Sequence, residues 1–225
     1  MRNVYVHRMQ GSIIKKKGFS TVGSTNTLID GRFGYTFYKE DGTKEFLVSD
    51  SSRLLTTSDF QSYTFISSGL TITAGLNCTT VRGKAWCTNG SDAVITWASP
   101  TKQTLNGTGG LPNVPKFKYI AYWQERVWGG NTSADATSIS WSLVKTTAAE
   151  ILAPDDPRAW PTTNTLFAGR GNGQVITAMW IQNGRLYIGE DRSIWKISGN
   201  SDSSYFAEIV DPQNGVISND SVVVI

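Results

Sequence analysis

The chain alternates short apolar runs with clusters of glycine, asparagine, aspartate and serine along its whole length. Helical periodicity is absent outside residues 146–152, so the pattern predicts β-strands joined by tight turns. The clearest hairpins are predicted around Asp41–Gly42, Arg82–Gly83 and Asn183–Gly184, where a turn pair separates two strand-like arms. The chain is therefore expected to be all-β.

These hairpins belong to an approximate repeat. Each unit consists of a first strand, a tight turn, a second strand and a third strand, and a fourth strand follows in the first and last units as SYTFI and YFAEI. The turn centres lie near positions 41, 82, 125 and 183, a spacing of about 40 residues that an insertion lengthens in the last interval. This spacing is typical of β-propeller blades. We predict a β-propeller-like array of about four to five four-stranded antiparallel blades, incomplete or part of a longer chain.

The repeat also predicts a domain organisation. Residues 1–30 form an N-terminal strand or arm region, and residues 31–225 form the propeller-like repeats. The predicted blades are 31–68, 69–112, 113–150 and 174–210, with an insertion at 151–173 and the start of a further blade at 211–225. The insertion is expected to be a long surface connection with about one helical turn, and long loops often carry contacts.

Composition and charge limit the classes of partner that the chain is expected to bind. Only 17% of residues are charged, and the formal net charge of +3 is spread along the chain, which does not indicate a nucleic-acid-binding field. The one basic run, Lys15, Lys16 and Lys17, is either a contact for phosphate or an acidic partner, or, as we favour, a solvated edge that prevents sheets from associating. No run of 18 apolar residues occurs, so no membrane partner is expected.

The two cysteines flank one predicted hairpin. If Arg82 and Gly83 form its two-residue turn, Cys78 and Cys87 lie directly opposite each other on a non-hydrogen-bonded pair. This geometry permits a disulfide. The alternative, slightly favoured, is a pair of small buried thiols in a protein that folds in a reducing cytoplasm.

No catalytic residue is predicted. His7 is the only histidine and no nucleophile motif accompanies it. The candidates for a carboxylate pair of the kind that glycosidases use are Asp92, Glu125, Glu190 and Asp191. Since Asp92 and the Glu190–Asp191 pair recur at one blade position, we expect them to cap turns by bonding local backbone amides. No metal or cofactor is expected, because two cysteines and one distant histidine are too few ligands.

The eight tryptophans divide into two groups. Six lie within strand runs and are expected to pack between blades: Trp86, Trp97, Trp128, Trp141, Trp180 and Trp195. Trp123, close to Arg126, and Trp160, close to Arg158, are less constrained and are expected to be exposed. These four residues, with the lysine run, are the candidate contact surface.

The order of these elements resembles the propeller-type virion proteins that bacteriophages encode among their tail and connector genes, including the nozzle or tail tubular proteins of short-tailed phages. The resemblance rests on five stretches in order: GSIIKKKGF, DGTKEFLV, GKAWCTNGSDAVITW, ISWSL followed by the Pro-Asp-rich insertion, and QVITAMWIQNGRLYIGEDRSIWKISG. They span most of residues 11–199. Members of that family continue with further blades, so the resemblance implies a fragment or a shortened version.

The resemblance implies a non-enzymatic structural component of a virion, assembled in the host cytoplasm, in the tail or the head-to-tail connector. Its expected partners are other phage virion proteins and further copies of itself in a ring, with DNA passing through a central channel as an additional expectation. Two alternatives stay open. One is a carbohydrate-binding propeller for host receptor recognition, which requires exposed aromatic rings. The other is a glycosidase, which requires a facing carboxylate pair in a pocket.

Overall fold

A computed structural model describes residues 4–6, 13–15, 31–72, 75–106, 114–144 and 160–222, with the backbone alone described for the first two ranges. These ranges contain eighteen β-strands and one short 3-10 helix, Asn219–Ser221. Within them, no helix is long and apolar enough to cross a membrane. The all-β prediction is confirmed.

Sixteen of the strands form four antiparallel sheets, each built from four consecutive strands. The first sheet contains β3 (Phe33–Tyr38), β4 (Lys44–Ser49), β5 (Leu54–Thr57) and β6 (Thr64–Ser67). The second contains β7 (Asn77–Val81), β8 (Lys84–Thr88), β9 (Val94–Ala98) and β10 (Thr101–Leu105). The third contains β11 (Phe117–Trp123), β12 (Arg126–Thr132), β13 (Ser138–Trp141) and β14 (Thr165–Phe167). The fourth contains β15 (Ile176–Gln182), β16 (Arg185–Glu190), β17 (Ile194–Ser198) and β18 (Phe206–Asp211).

The four sheets follow one another as propeller blades do. In each sheet the strands are hydrogen-bonded in chain order. The first strands contact one another in succession, β3 with β7, β7 with β11 and β11 with β15. First strands are therefore innermost and fourth strands outermost, as in a β-propeller. The short β1 (Val4–Val6) and β2 (Ile13–Lys15) pair with each other, and among the described strands neither pairs with a third.

Tight turns connect the first two strands of three sheets. Arg82 and Gly83 have φ of 43° and 71°, and Asn183 and Gly184 have φ of 50° and 71°, as the type I′ turns of two-residue hairpins require. Both of these predicted turns are therefore present. The third predicted hairpin, around Asp41–Gly42, is present as well, and the Lys39 N–H donates to the Thr43 carbonyl at 2.9 Å where it turns. The third sheet uses Gln124–Glu125, at φ of 49° and 57°, although neither residue is glycine. Left-handed backbone at such residues is uncommon, so the surrounding contacts must hold this turn in place.

Large apolar side chains fill the space between neighbouring sheets. One cluster joins the first and second sheets and includes Phe37, Leu54 and Trp97. A second joins the second and third sheets around Trp86. A third, between the third and fourth sheets, is centred on Trp128, which has no exposed surface. The sheets are thus apolar on both faces wherever a neighbouring sheet covers them.

The third sheet departs from the expected boundaries. Its fourth strand, Thr165–Phe167, pairs with Ser138–Ser140 and lies inside the segment 151–173 that was expected to be an insertion. The third unit therefore extends beyond residue 150. The strand is only three residues long, and its pairing with β13, rather than any apolar pattern, defines it. The expected helical turn falls on residues 145–159, outside the described residues.

The segment after β18 also differs from expectation. Residues 211–225 were expected to begin a further blade with a strand, but Asn219–Ser221 form a 3-10 helix. The segment lies against β15, where the Met179 N–H donates to Asn219 Oδ1 at 3.0 Å. It also contacts the end of β16, where the Val216 N–H donates to the Glu190 carbonyl at 2.7 Å. It therefore covers part of the innermost strand of the fourth sheet.

Cys78 and Cys87 are cross-strand partners in the second sheet, as the turn at Arg82–Gly83 requires. Their Cα atoms are 4.2 Å apart, the close approach of a non-hydrogen-bonded pair. The structure joins them in a disulfide bond rather than leaving two thiols.

Replacement of Trp128 tests the dependence of the fold on inter-sheet packing. We expect Trp128→Ala to lower the free energy of unfolding by about 3–5 kcal/mol, because a large buried ring is removed and a cavity remains. Urea unfolding followed by circular dichroism measures the change. The matched control is Tyr38→Ala, whose ring is 63% exposed and whose loss is expected to change stability by about 0.5 kcal/mol or less. Equal effects of the two variants would contradict the packing argument.

Candidate functional site

Glu45 of the first sheet forms a hydrogen bond with the second sheet. Its Oε2 accepts from Trp97 Nε1 at 2.9 Å and from Thr56 Oγ1 at 3.1 Å, and Lys39 Nζ lies 2.9 Å from Oε1. Burial acts to raise the pKa of Glu45, but the hydrogen bonds from Trp97, Lys39 and further hydroxyls outweigh it and hold the pKa below its ordinary value. Glu45 is thus a charged acceptor for a buried indole.

Asp202 makes the corresponding contact between the third and fourth sheets. Asp202 Oδ1 accepts from Trp141 Nε1 at 2.8 Å and from Arg126 Nε at 3.0 Å. The Arg126 guanidinium also lies over the Tyr205 ring, 5.4 Å from its centroid. Arg126 is therefore buried, and its expected place on a contact surface is wrong. Trp123 is buried as well, with Nε1 donating to the Gly184 carbonyl at 2.7 Å, so the same expectation fails for that residue.

Glu190 lies fully buried within the fourth sheet. Its Oε2 accepts from Ser193 Oγ at 2.6 Å, Trp195 Nε1 at 2.9 Å and Asn172 Nδ2 at 3.0 Å. Gly169 covers this carboxylate so closely that a Cβ there would lie 2.6 Å from Oε2. Glu190 therefore acts as an internal acceptor and does not face an open pocket.

The remaining candidate carboxylates also have structural partners. Asp92 Oδ2 accepts from the Thr71 N–H at 2.6 Å, a contact across 21 residues rather than a local cap. Glu125 accepts from the Tyr122 hydroxyl at 2.8 Å and pairs with Arg82, and these contacts hold its pKa below the ordinary value. Asp191 is exposed and lies 3.7 Å from Arg192.

The expected turn caps exist, but at other residues. Asp50 Oδ1 accepts from the N–H groups two and three residues onward, at 3.1 and 2.9 Å. Asn89 Oδ1 makes the same pair of contacts at 3.0 and 2.8 Å. Both follow the second strand of their sheets directly, where the chain must turn back into the third strand. The predicted capping at Asp92 and Glu190 is therefore wrong, because Asp92 accepts from the distant Thr71 N–H and Glu190 accepts from side chains rather than from local backbone amides.

The other expected contact residues are placed as follows. Trp160 is half-buried, with its ring 5.3 Å from that of Phe117, so it contributes to packing between the second and third sheets. Lys15 ends β2, but its side chain is not described. Lys16, Lys17, Arg158 and His7 lie outside the described residues. Within the described ranges, no group of three or more His, Cys, Asp or Glu side chains is placed to hold a metal ion.

A polar cavity of about 370 Å³ lies where the first strands begin. Residues of three innermost strands and of the segment after β18 line it, including Arg32, Asn77, Lys118, Tyr119 and Asn219. Burial raises the pKa of Tyr119, and the negative charge of Asp220 raises it further. Sequence analysis did not single out these residues, although the shared position at the beginning of first strands is a signal that comparing the repeats would have found. We name this site the axial cavity.

The outer rim of the fourth sheet exposes an apolar edge. Strand β18 pairs with β17 on one side, and no further strand pairs with it in the described part of the chain. Its side chains Phe206, Ile209 and Val210 are 54%, 45% and 50% exposed. An unpaired edge of this composition is a ready surface for association with another chain. We name Phe206–Asp211 the rim strand.

Comparison with known proteins gives likenesses of fold. No model of a known protein family matches the chain, and no curated protein matches its sequence. A streptogramin B lyase structure matches with a TM-score of 0.48 and 14% identity, over 78% of this chain and 53% of the lyase chain. A glucose dehydrogenase-like oxidoreductase from Thermus thermophilus matches with a TM-score of 0.35 and 11% identity, over 84% and 87% of the two chains. This chain thus spans about half the length of the lyase, and neither likeness transfers an activity.

The depressed pKa of Glu45 predicts a pH dependence of stability. Because the folded-state pKa lies below the unfolded value near 4.5, the contribution of Glu45 is present above pH 4.5 and is lost as pH falls through the lower folded-state pKa. We expect Glu45→Gln to reduce stability at pH 7 and to flatten the decline below pH 4.5, as measured by urea midpoints across pH. The control is Glu40→Gln, an exposed carboxylate of the same hairpin. An unchanged pH profile in Glu45→Gln would contradict this role.

Proposed function

We propose that this protein is a non-enzymatic structural component of a bacteriophage virion, in the tail or the head-to-tail connector, where it assembles with further copies and with other virion proteins. The phage assignment depends on the ordered stretches between residues 11 and 199 that resemble propeller-type tail and connector proteins. The rigid array of four sheets suits such a part, because a propeller holds its rims and loops in fixed positions.

The observation that carries the assembly proposal is the rim strand. Its unpaired edge offers backbone N–H and C=O groups, and three of its side chains, Phe206, Ile209 and Val210, are exposed apolar ones on the faces beside that edge. Proteins usually protect such edges with charges, prolines or covering segments, and this strand has only Glu208 and the terminal Asp211 as charged residues. A neighbouring subunit that adds a strand or covers the three side chains would remove this exposure.

The use of the carboxylates supports a structural rather than a hydrolytic function. Glu45 and Asp202 hold indole N–H groups of the neighbouring sheet, and Glu190 is closed over by Gly169. A glycosidase needs two carboxylates that face one substrate across a pocket. The contacts of these three residues instead stabilise packing within and between sheets.

Carbohydrate binding is the second candidate, and a cleft of about 260 Å³ between the first and second sheets favours it. Hydroxyl side chains line much of this cleft, among them Ser58, Ser62, Thr64 and Ser99, with Glu45 at its wall. Sugar hydroxyls pair well with such groups, although Trp97, also in the wall, is buried and presents no stacking face. Binding to a panel of host-surface glycans, with Ser62→Ala and Thr64→Val as cleft variants, would establish this function in place of assembly.

Electron microscopy of the purified virion at side-chain resolution tests the proposal directly. We expect the sequence to be traceable in several symmetry-related copies within a tail or connector ring, with the rim strand in contact with a neighbouring subunit. Absence of the chain from the particle would refute the virion assignment.

A variant pair tests the rim strand. We expect Ile209→Lys to leave the isolated protein folded and to reduce its incorporation into particles severalfold, because a charge would be buried at the contact. Val175→Lys is the matched control, since Val175 is also 45% exposed but lies outside the rim strand. Quantitative immunoblotting of purified particles measures incorporation, and equal incorporation of both variants would show that the rim strand is not the contact.

A further inference from the structure

Two basic side chains meet at the axial cavity. Arg32 precedes the innermost strand of the first sheet, and Lys118 lies near the beginning of the innermost strand of the third. The two residues are far apart in sequence, but the succession of first strands brings them to one cavity. Among the described residues of the lining, Asp220 is the only acidic one, so the cavity has an excess of positive charge.

Two asparagines add donors whose orientation is fixed. The Ile120 N–H donates to Asn77 Oδ1 at 2.7 Å, and the Met179 N–H donates to Asn219 Oδ1 at 3.0 Å. A backbone N–H can only donate, so each side-chain oxygen must face its amide, and each NH2 group is left for another acceptor. Asn77 and Asn219 both line the cavity and thus supply it with hydrogen-bond donors.

The rest of the cavity lining includes the phenol side chain of Tyr119 and several apolar side chains. Tyr119 contributes its ring and hydroxyl, and Lys118 Nζ lies 5.5 Å from the centroid of that ring. Phe33, Leu76 and Ile217 provide apolar surface beside the polar groups. A few convergent polar groups beside apolar surface are characteristic of small-molecule sites.

We propose that the axial cavity binds the phosphate group of a small organic phosphate monoester. Charged donors from Arg32 and Lys118, with neutral donors from the two asparagines, suit the several acceptor oxygens of a tetrahedral dianion. A cavity of about 370 Å³ exceeds the size of the phosphate group, so an attached organic group can lie against Phe33, Leu76 and Ile217. This inference does not depend on the virion assignment, because it uses only the lining of the cavity.

Titration calorimetry with phenyl phosphate and with inorganic phosphate tests the proposal. Phenyl phosphate should bind more tightly than inorganic phosphate, because its ring adds apolar contact. Arg32→Gln and Lys118→Gln should each weaken binding of phenyl phosphate about tenfold, since each removes a charged hydrogen-bond donor. The control is Lys102→Gln, an exposed lysine on the outermost strand of the second sheet, which should bind as the unaltered protein does.

Asn77→Asp separates ligand binding from folding. The carboxylate keeps the acceptor for the Ile120 N–H but replaces the NH2 donor with a negative charge, so the fold is retained and phosphate binding should be abolished. Circular dichroism and urea unfolding check that the variant is folded. The proposal is overturned if the unaltered protein binds neither phosphate compound at millimolar concentration, if folded Asn77→Asp binds as tightly as the unaltered protein, or if Lys102→Gln weakens binding as much as Lys118→Gln.

Discussion

The packing of the four sheets depends on burying tryptophan rings between them. Most of the buried indole N–H groups find an acceptor, although Trp86 Nε1 has none among the described residues. A buried ring contributes a large apolar area, but an unpaired buried N–H offsets much of that gain. Two of the inter-sheet indoles find carboxylates on the neighbouring sheet, Trp97 at Glu45 and Trp141 at Asp202. Trp123 and Trp128 instead donate to backbone carbonyls. The position of one sheet against the next is therefore set by hydrogen bonds as well as by shape.

This arrangement determines where function can reside. Carboxylates at the ends and faces of strands are the groups a hydrolase would use, and here Glu45, Asp202 and Glu190 are committed to internal contacts. Moving Glu45 or Asp202 toward a substrate would leave the buried indole N–H of Trp97 or Trp141 without its acceptor. The outer rim and the ends of the innermost strands contain none of these three carboxylates. The rim strand and the axial cavity lie there.

Local features of this fold were predictable from sequence, and long-range ones were not. The turn at Arg82–Gly83 fixes the pairing of Cys78 with Cys87 by counting alone, and the four-strand repeat is visible in the spacing of turns. The partner of Arg126 is 76 residues away at Asp202, in a polar loop that no pattern distinguishes. Trp123 was expected to be exposed because Gln124, Glu125 and Arg126 follow it. Gln124 and Glu125 form a tight turn, however, and the rings of Trp128 and Tyr205 pack against that of Trp123. Polar neighbours in sequence thus say little about burial beside a tight hairpin.

The rim strand and the axial cavity lie on different elements of the fold, so their proposed functions use different surfaces. Fourth strands form the rim, whereas the cavity is built from the beginnings of first strands and from the segment after β18. A subunit that covers Phe206, Ile209 and Val210 would approach from the side and need not cover Arg32 or Lys118. The inter-sheet clusters hold together the first three sheets, whose innermost strands line the cavity, whereas the remaining wall belongs to the segment that directly follows the rim strand. The two proposals, assembly through the rim strand and phosphate binding in the axial cavity, thus place the two contacts on different surfaces of one molecule.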